Sequence, residues 1–514
     1  MIVVYHKNNR ISKIVSDGNY LSPFDYNVSI SKGICLLATL FPESKIVWCK
    51  EEFQDFLNLK DINSIFHHNK MMLSYLPNGM NFLGRKIGYV EQSLFIKMNK
   101  NVSYPTWQMS SIVGVVHASL LIKIKGKIKQ DLDFDYYLNS VAKVCMPLGL
   151  LCYSEPKLLS SYEGVIVYKE ASIYTLFKFV KQHYKKRWLV LLILNLMVFE
   201  KQFPLLPFGV SIFYKTRKNN KLQLNTIPVQ STLKTTIDNT IDVIIPTIGR
   251  KKFLYAILQD LSKQTHLPIN VIIVEQNPLP NSISELDYLT TEIWPFKIKH
   301  TFIHQAGACN ARNLALSQVE SEWVFFADDD IRIEREFVEK AFINIKSIGA
   351  EVVSICCLQK GQRQIFNDIF QWGSFGSGCS FVNSESLKDT FFSKQYEFGY
   401  GEDSDFGMML RNNGHDVIYL PEPKILHLKA PIGGFRTESV LLWQKESIQP
   451  KPSPTVMLYR KTYNSREQLR AYKTTLFFKY YKYQDIKNPY SYFKMFQKQW
   501  NQSVLWANKL NMLS

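Results

Sequence analysis

Three consecutive carboxylates, Asp328, Asp329 and Asp330, directly follow the apolar segment WVFFA over 323–327. Carboxylates at the end of a buried strand are costly unless a cation neutralises them. Two of them on one tight turn can face a single divalent ion, and their hard oxygen atoms suit Mg²⁺ or Mn²⁺. Such an ion would in turn hold a diphosphate. The structural alternative is that Asp330 caps a helix over 334–346, whose dipole would stabilise the other two carboxylates.

Further polar residues occur where an anionic ligand or a reacting hydroxyl could meet them. The segment GACNARN over 307–313 opens a helix with small residues and an arginine, as close approach to a phosphate-bearing ligand requires. Glu402 and Asp403 begin another amphipathic helix, where a base could meet an acceptor. His427 follows a strand-like stretch, and is either a metal or phosphate ligand or a structural histidine beside leucines.

Alternating strand and helix patterns would bring these residues together. Apolar segments at 241–246, 270–275, 298–303 and 323–327 predict strands, and helical periodicity at 250–264 and 307–319 separates them. The alternation predicts a parallel, doubly wound α/β sheet. Ligands bind beyond the carboxyl ends of such strands, where Thr247, Arg250, Glu275 and the aspartates lie.

Five segments together resemble the family-2 inverting glycosyltransferases of the GT-A fold, in the family's order and spacing. They are IDVIIPTIGR (241–250), VIIVEQN (271–277), AGACNARNLAL (306–316), WVFFADDDI (323–331) and FGYGEDSDFGMMLRNNGHDVIYLPEPKILH (398–427). The resemblance covers about 190 residues and implies a Rossmann-like nucleotide-sugar transferase domain.

The resemblance also implies roles for individual residues. Asp403 would be the general base, with Glu402 as the other catalytic acid. Asp328, Asp330 and His427 would hold Mn²⁺ or Mg²⁺. The residues implied to bind the nucleotide sugar are Pro246, Thr247, Arg250, Glu275, Gly307, Arg312, Asp328 and Asp329. The acceptor would meet the glycine- and serine-rich segment through Trp372, Gly376 and Gly378. Glu275 departs from the family pattern, which usually has aspartate there.

The implied activity is transfer of a sugar of the hexosyl type, with inversion, from a nucleoside diphosphate sugar. The acceptor would be a glycan or lipid-linked glycan in bacterial surface polysaccharide synthesis. One alternative is a non-catalytic glycan-binding or scaffold protein in which both modules have lost their activity. In such a protein, mutations would be expected to have replaced some of Asp328, Asp330 and Asp403, yet all three are present. Another is a sugar nucleotidyltransferase, whose glycine-rich basic phosphate loop is poorly matched by TIGR over 247–250.

The first 165 residues contain weaker echoes of the catalytic segment and predict a degenerate GT-A-like module. Residues 42–49 parallel 319–326, which would place Lys50, Glu51 and Glu52 opposite 327–329. Residues 133–135 parallel 403–405, and 155–159 parallel 422–426. Because the aspartate triplet and the nucleotide loops are missing, we expect this copy to be inert. The alternative is chance similarity between short apolar stretches.

Charge divides the chain further. The whole chain carries +18, whereas the predicted catalytic domain (239–435) is acidic. Excess lysine and arginine lie in a predicted helical spacer (166–238) and in an aromatic helical tail (436–514). Basic and aromatic composition favours peripheral contact with an anionic membrane. The alternative is ordinary helix packing; nucleic acid is not expected, because no binding signature is present.

Composition excludes several other classes. With 514 residues, 46% of them hydrophobic and 14% aromatic, the chain is too apolar for general disorder. The longest apolar run, 188–199, is too short to span a bilayer. The first residues lack a secretory pattern. Eight cysteines without CxxC spacing favour a reducing compartment, so we expect a cytoplasmic protein that contacts the inner face of the membrane.

Overall fold

The computed structural model describes residues 1–16, 19–20, 28–77, 79, 81–160, 162, 170–217, 222–430 and 441–512. The chain forms two compact units. The first comprises residues 1–233 and 464–480, and the second comprises 234–463 and 481–514. The sequence predicts a finer division into four domains, 1–165, 166–238, 239–435 and 436–514, and this division stays a prediction.

Two sheets contain the strands of the described residues. In chain order these strands are β1 Ile2–Lys7, β2 Arg10–Ser16, β3 Asn19–Tyr20, β4 Lys45–Lys50, β5 Met71–Tyr75, β6 Tyr104–Pro105, β7 Val113–His117, β8 Leu151–Ser154, β9 Ile241–Thr247, β10 Asn270–Gln276, β11 Lys297–Ile303, β12 Trp323–Ala327, β13 Ile331–Arg332, β14 Val352–Gln359, β15 Phe370–Gln371, β16 Cys379–Asn383 and β17 Val417–His427.

Helices connect and flank these strands. In chain order the α-helices are α1 Ile30–Leu40, α2 Ile62–Ile65, α3 Ala118–Ile124, α4 Phe134–Cys145, α5 Ile173–His183, α6 Lys186–Phe199, α7 Leu205–Ser211, α8 Lys251–Ser262, α9 Tyr288–Thr291, α10 Ala308–Leu316, α11 Phe337–Ile348, α12 Glu402–Asn412, α13 Pro454–Tyr463, α14 Arg466–Tyr481 and α15 Pro489–Asn511. None in the described ranges is long and apolar enough to cross a bilayer.

The sheet of the second unit has the order β11-β10-β9-β12-β16-β14-β17-β13, and the short β15 also pairs with β17. β11, β10, β9 and β12 are parallel, as predicted. β16 is antiparallel to both of its neighbours, β12 and β14, so the sheet is mixed instead of wholly parallel. The apolar pattern predicted the strands but carries no information on this reversal. The α/β fold class is confirmed.

Burial explains why these segments form central strands. Every residue of β10 and β12 is buried. Runs that are apolar on both faces are typical of strands covered by helices on both sides. α10 and α12 contribute Cys309, Ala311 and Phe406 to the core beside Phe326. The sheet therefore holds its carboxyl-terminal loops on a rigid support.

The first unit repeats much of this topology, with the order β3-β2-β1-β4-β7-β5-β8-β6. β1 and β4 are parallel, β7 is antiparallel to β4 and β5, and β5 and β8 are parallel, as for β9, β12, β16, β14 and β17. β6 pairs antiparallel with β8 as β15 does with β17. An antiparallel pair, β2 and β3, takes the place of the parallel β10 and β11. The predicted second α/β module is present, with two strands at one edge of its sheet replaced.

The predicted helical tail is also present. α15 begins at Pro489, where the side chain of Asn488 accepts hydrogen bonds from two backbone amides. Tyr492, Phe496 and Trp500 lie four residues apart on this helix and are buried. Tyr490 and Phe493, on its other side, are exposed. Part of the aromatic content of the tail therefore serves ordinary packing, as the structural alternative holds.

Candidate active site

A cleft of about 800 Å³ lies beyond the carboxyl ends of β9, β10 and β12. The predicted site residues that line it are Pro246, Thr247, Arg250, Gly307, Arg312, Asp328, Asp329, Asp330, Gly378, Glu402, Asp403 and His427. They come from positions up to 181 residues apart in the chain. The sheet therefore brings most of the candidate residues together in one place.

Asp329, the middle aspartate, is committed to holding the loop after β9. Thr247 Oγ1 and Arg250 Nη1 each donate to its carboxylate over 2.6 Å. The side chain is 2% exposed. Burial raises the pKa of Asp329 to about 6, although the Arg250 charge opposes the shift. Asp329 thus orders Thr247 and Arg250, two of the residues predicted to meet the nucleoside.

Asp330 is ionised and does not cap the following helix. α11 begins at Phe337 with Glu336 as its N-cap, which excludes the structural alternative for Asp330. Against the effect of burial, hydrogen bonds from His427 and from the Ala430 backbone amide, together with the Arg250 charge, lower the pKa of Asp330 to about 2. The Nε2 atom of His427 lies 3.3 Å from Asp330 Oδ1. The same hydrogen bond raises the pKa of His427.

Asp328, Asp330 and His427 form a cluster whose candidate ligand atoms all lie within 4.8 Å of one another. The pairing of β13 with β17 sets Ile331 opposite His427 and so brings the histidine to the aspartates. Two carboxylates and one imidazole are a donor set that suits Mn²⁺ and is compatible with Mg²⁺. Gly378 packs against this cluster, and a β-carbon there would lie 2.1 Å from Asp328 Oδ2.

Arg312 extends from α10 toward the cluster. Its Nη2 atom donates to Asp328 Oδ1 over 3.4 Å, and its guanidinium lies 5.4 Å from the ring centre of Phe392. The Nε atom is buried and has no hydrogen-bond partner among the described residues. Arg312 is therefore a buried cation at the cleft with a remaining donor.

Glu397 caps α10, a contact that the sequence interpretation missed. Its carboxylate accepts from the backbone amides of Cys309 and Asn310 over 3.1 and 2.9 Å. A β-carbon on Gly307 would lie 2.6 Å from the same carboxylate. The helix N-terminus predicted to receive a phosphate is thus occupied by a side chain of the protein. No local signal marks Glu397, because it lies 88 residues from Cys309 in the chain.

Glu402 and Asp403 begin α12 at the edge of the cleft. Asp403 Oδ1 is buried without a hydrogen-bond partner in the described part of the chain. Burial raises the pKa of Asp403, although Arg312 and hydrogen bonds from Ser377 oppose it. Burial and the neighbouring Asp403 raise the pKa of Glu402 to about 7. The pair combines a carboxylate with an unused acceptor atom and a neighbour that titrates near neutrality.

Three predicted residues lie elsewhere than on the wall of the cleft. Glu275 is buried and accepts from Ser284 Oγ over 2.5 Å and from His300 Nε2 over 2.9 Å. Trp372 packs in an aromatic cluster with Phe366, Phe370 and Tyr419. The carbonyl of Gly376 accepts from Ser380 Oγ over 2.7 Å. Gln276, one residue after Glu275, lines the cleft in its place and accepts from the Gly307 amide over 2.6 Å.

The first unit retains the partner of the candidate base. Ser111 donates from its amide and its hydroxyl to Asp135, each over 2.8 Å. Ser377 makes the same two kinds of hydrogen bond to Asp403. Each serine lies two residues before its strand, β7 or β16, and each aspartate is the second residue of its helix, α4 or α12. Asp135 therefore corresponds to Asp403, so the predicted parallel of 133–135 with 403–405, which placed Asp133 there, is wrong by two residues. The shared serine–aspartate contact supports the interpretation of a degenerate copy.

This equivalence corrects the predicted alignment of the acidic triplet by one residue. Cys49 pairs with Val113 and Ala327 pairs with Cys379, each partner lying two residues after its serine. Lys50, Glu51 and Glu52 therefore correspond to 328–330, not to 327–329. The ammonium of Lys50 lies 2.9 Å from the carboxylate of Glu52. A lysine thus stands at the position of Asp328 in the candidate metal cluster and pairs with Glu52, which stands at the position of Asp330.

Comparisons with known proteins agree with this geometry. A profile described as "Glycosyl transferase family 2" matches residues 242–380. The chain is 24% identical over 113 residues to "Glycosyltransferase GlyG" of Streptococcus pneumoniae, a match covering 22% of this chain and 37% of that protein. It is 26% identical over 167 residues to "Glycosyltransferase GlyA" of the same organism, covering 31% and 21% respectively. The chain thus spans less than half the length of these curated relatives.

Among solved structures, S. aureus TarS 1-349 in complex with UDP-GlcNAc is similar at 18% identity and a TM-score of 0.33. That similarity covers 51% of this chain and 72% of the other. The profile match includes β9, β12 and the aspartate triplet, which are the elements that build the cleft. Residues 242–380, which contain these elements, are thus similar to glycosyl transferase family 2.

Proposed function

We propose that the second unit transfers a sugar from a nucleoside diphosphate sugar to an acceptor hydroxyl, with inversion at the anomeric carbon. The observation that carries the proposal is the convergence of Asp328, Asp330, His427 and Asp403 on one cleft. Its volume of about 800 Å³ falls within the range of roughly 300–1,000 Å³ typical of small-molecule sites.

Asp403 is the proposed general base. Its buried Oδ1 atom can accept the proton of the acceptor hydroxyl while the hydroxyl oxygen attacks the anomeric carbon. The bond from that carbon to the diphosphate oxygen breaks in the same step, and the electron pair leaves with the nucleoside diphosphate. One displacement inverts the centre. Because burial raises the pKa of Asp403, the carboxylate is a stronger base than an exposed aspartate.

Asp328, Asp330 and His427 would hold Mn²⁺ or Mg²⁺, for which their donor atoms are suited. A divalent ion there would supply Lewis-acid stabilisation of the negative charge that develops on the diphosphate. Arg312 adds a fixed positive charge beside Asp328 and has an unused Nε donor for an anionic ligand. Thr247 and Arg250, ordered by Asp329, would meet the nucleoside side of the donor.

The acceptor is proposed to be a glycan or lipid-linked glycan of a bacterial surface polysaccharide, and the transferred sugar a hexose type. The acceptor would approach Ser377 and Gly378, which line the cleft, more closely than Trp372 or Gly376. Peripheral contact with an anionic membrane, and a cytoplasmic location, belong to the same proposal and fit the basic composition of the chain.

Hydrolysis of nucleoside diphosphate sugars in the absence of acceptor tests the proposal. A panel of uridine, guanosine and thymidine diphosphate sugars with Mn²⁺ should yield slow, chelator-sensitive release of the diphosphate from at least one donor. The same donor should raise the melting temperature of the protein, because it binds the native state.

The control for this test is Asp328→Asn with Asp330→Asn, which should abolish both effects. If no donor is bound or hydrolysed by the native protein, the transferase proposal fails. The alternative of a non-catalytic glycan-binding scaffold with retired modules would then be favoured.

A further inference from the structure

A patch of exposed apolar side chains lies on the first unit, on and beside α7. Its members are between 38% and 87% exposed and are Phe203, Leu205, Leu206, Val210, Ile212 and Phe213. We call these six residues the α7 patch. Single exposed apolar residues are common, but six within eleven consecutive positions are a concentration of the kind that marks an interaction site.

The local fold holds the α7 patch outward. α6 directs Trp188, Leu192 and Leu196 into the core of the unit. In α7, Pro207 and Ser211 are buried, and the ring of Phe208 makes an edge contact with Phe177 of α5. The patch is therefore the outer side of an anchored helix, and collapse onto the unit does not cover it.

Positive charge borders the patch on both sides in the fold. Lys185, Lys186 and Arg187 are exposed at the start of α6. The chain returns beside them after α7, because the Lys181 ammonium donates to the Tyr214 carbonyl over 2.8 Å and the Arg217 amide donates to the Gln182 carbonyl over 2.9 Å.

Two further lysines flank the patch directly. Lys201 precedes Phe203, Lys215 follows Phe213, and both are exposed. The apolar side chains are thus framed by ammonium and guanidinium groups.

Negative charge is nearly absent from this region. Glu200 is the one acidic residue in the sequence from 171 to 237. Its carboxylate accepts from Arg85 over 2.9 Å, from Tyr89 over 2.6 Å and from Arg470 over 3.3 Å. Because Glu200 is neutralised within the unit, nothing in this stretch opposes the approach of an anionic surface.

We propose that the α7 patch is the surface by which this protein binds an anionic lipid bilayer. The aliphatic and phenyl side chains would enter the boundary between headgroups and acyl chains, and the surrounding cations would meet the lipid headgroups. Charge complementarity favours a bilayer over a protein partner, since the frame carries one sign of charge. The inference rests on the membrane contact of the proposed function, not on the transfer chemistry, and assigns that contact to one surface.

Vesicle sedimentation tests this assignment with the full chain. The native protein should sediment with equimolar phosphatidylglycerol–phosphatidylcholine vesicles and much less with phosphatidylcholine alone. Raising the salt to about 0.5 M should release it, because the Debye length shortens. Leu206→Ser with Phe213→Ser should lower the partition coefficient at least about ten-fold. Lys185→Gln with Lys186→Gln should weaken binding to the anionic vesicles and leave binding to the phosphatidylcholine vesicles unchanged.

A matched control lies on the second unit, where Ile283 and Ile293 are 80% and 101% exposed. Ile283→Ser with Ile293→Ser should bind vesicles as the native chain does. All variants should retain native donor hydrolysis, which separates this inference from the proposed function. Absence of vesicle binding, or binding unchanged in the α7 variant, would overturn the proposal. If the native protein is a dimer that does not bind vesicles, and the α7 substitutions dissociate this dimer, the patch serves self-association instead.

Discussion

At the scale of single residues, the aspartates of the cleft differ in their contacts and in the direction in which their pKa values are shifted. Asp329 is held by Thr247 and Arg250 and serves the loop after β9. Asp330 is kept ionised by its hydrogen bonds and is suited to a cation. Asp403 keeps an unused acceptor atom and a raised pKa, as a base requires. These three carboxylates thus differ because the residues around each of them differ.

Asp403→Asn is the direct test of the base. The amide keeps the shape of the side chain but cannot take up the proton, so turnover should fall roughly 10²–10⁴-fold. Donor binding, measured by thermal shift, should survive. Asp405→Asn is the matched control on the same helix: its carboxylate accepts from the Tyr463 hydroxyl over 2.9 Å and does not line the cleft. Native turnover in the Asp403 variant would remove Asp403 from the mechanism.

Glu402 predicts a pH dependence of stability in the metal-free protein. Burial and Asp403 raise its pKa from the ordinary value of 4.5 to about 7. Between these values the folded state keeps a proton that the unfolded chain has lost, so stability falls as the pH rises across this window.

The Glu402→Gln variant lacks this loss of stability. Between about pH 5 and pH 7.5, close to the two ends of the window, the melting temperature of the variant should therefore fall less than that of the native protein. The measurement is the difference between the two melting curves at each pH. Parallel behaviour of the two proteins would show that Glu402 does not titrate in this range.

At the scale of elements, the site depends on loops that must fit closely around the aspartates. β16 begins directly after Gly378, which leaves no room for a side chain beside Asp328. α10 is held at its first turn by Glu397 and presents Arg312 to the cluster. The geometry of the candidate metal site is thus set by two neighbouring elements as well as by its own residues.

Gly378→Ala should therefore damage the metal site selectively. The added methyl group would lie 2.1 Å from Asp328 Oδ2, so the carboxylate or the loop must move. We expect the apparent Mn²⁺ affinity in donor hydrolysis to fall about ten-fold or more, as when groups that orient metal ligands are removed. Gly373→Ala is the control, because nothing lies within 4 Å of a β-carbon at Gly373. Equal Mn²⁺ dependence in the two variants would contradict this role.

The sequence predicted elements well and long-range contacts poorly. Apolar runs found the parallel strands β9, β10, β11 and β12, because two-sided burial leaves a continuous signal. The reversal of β16 leaves no such signal, since strand direction depends on the connection. The sequence interpretation missed Glu397, and did not foresee that Trp372 lies off the wall of the cleft, for the same reason. Each side chain is positioned by a residue far away in the sequence, Cys309 for Glu397 and Tyr419 for Trp372, and such contacts leave no local pattern.

At the scale of the whole molecule, two α/β units of related topology lie in one chain but differ in the residues at the acidic cluster. The second keeps the acidic cluster, whereas the first has Lys50 in the place of Asp328. The ammonium of Lys50 pairs with Glu52 and supplies internally the positive charge that a dication would bring. The Ser111–Asp135 contact is kept beside this change, which agrees with the predicted degenerate copy of the second unit.

The predicted inertness of the first unit is tested by Glu51→Ala with Glu52→Ala. Both carboxylates are exposed and make ion pairs with Lys7 and Lys50, so their removal should cost little stability. Transferase activity and metal dependence should remain native. A large loss of activity in a variant that melts at the native temperature would show that the first unit takes part in the reaction.

In the first unit, the antiparallel strands β2 and β3 lie where the second unit has β10 and β11. This difference affects which ligands the first unit could bind. In the second unit, the ends of β9 and β10 supply Thr247 and Gln276, the wall against which a base and ribose would rest. The first unit has no parallel strand at that position in the described residues, so it offers a nucleotide no such wall. We therefore expect the first unit not to bind a nucleoside diphosphate sugar.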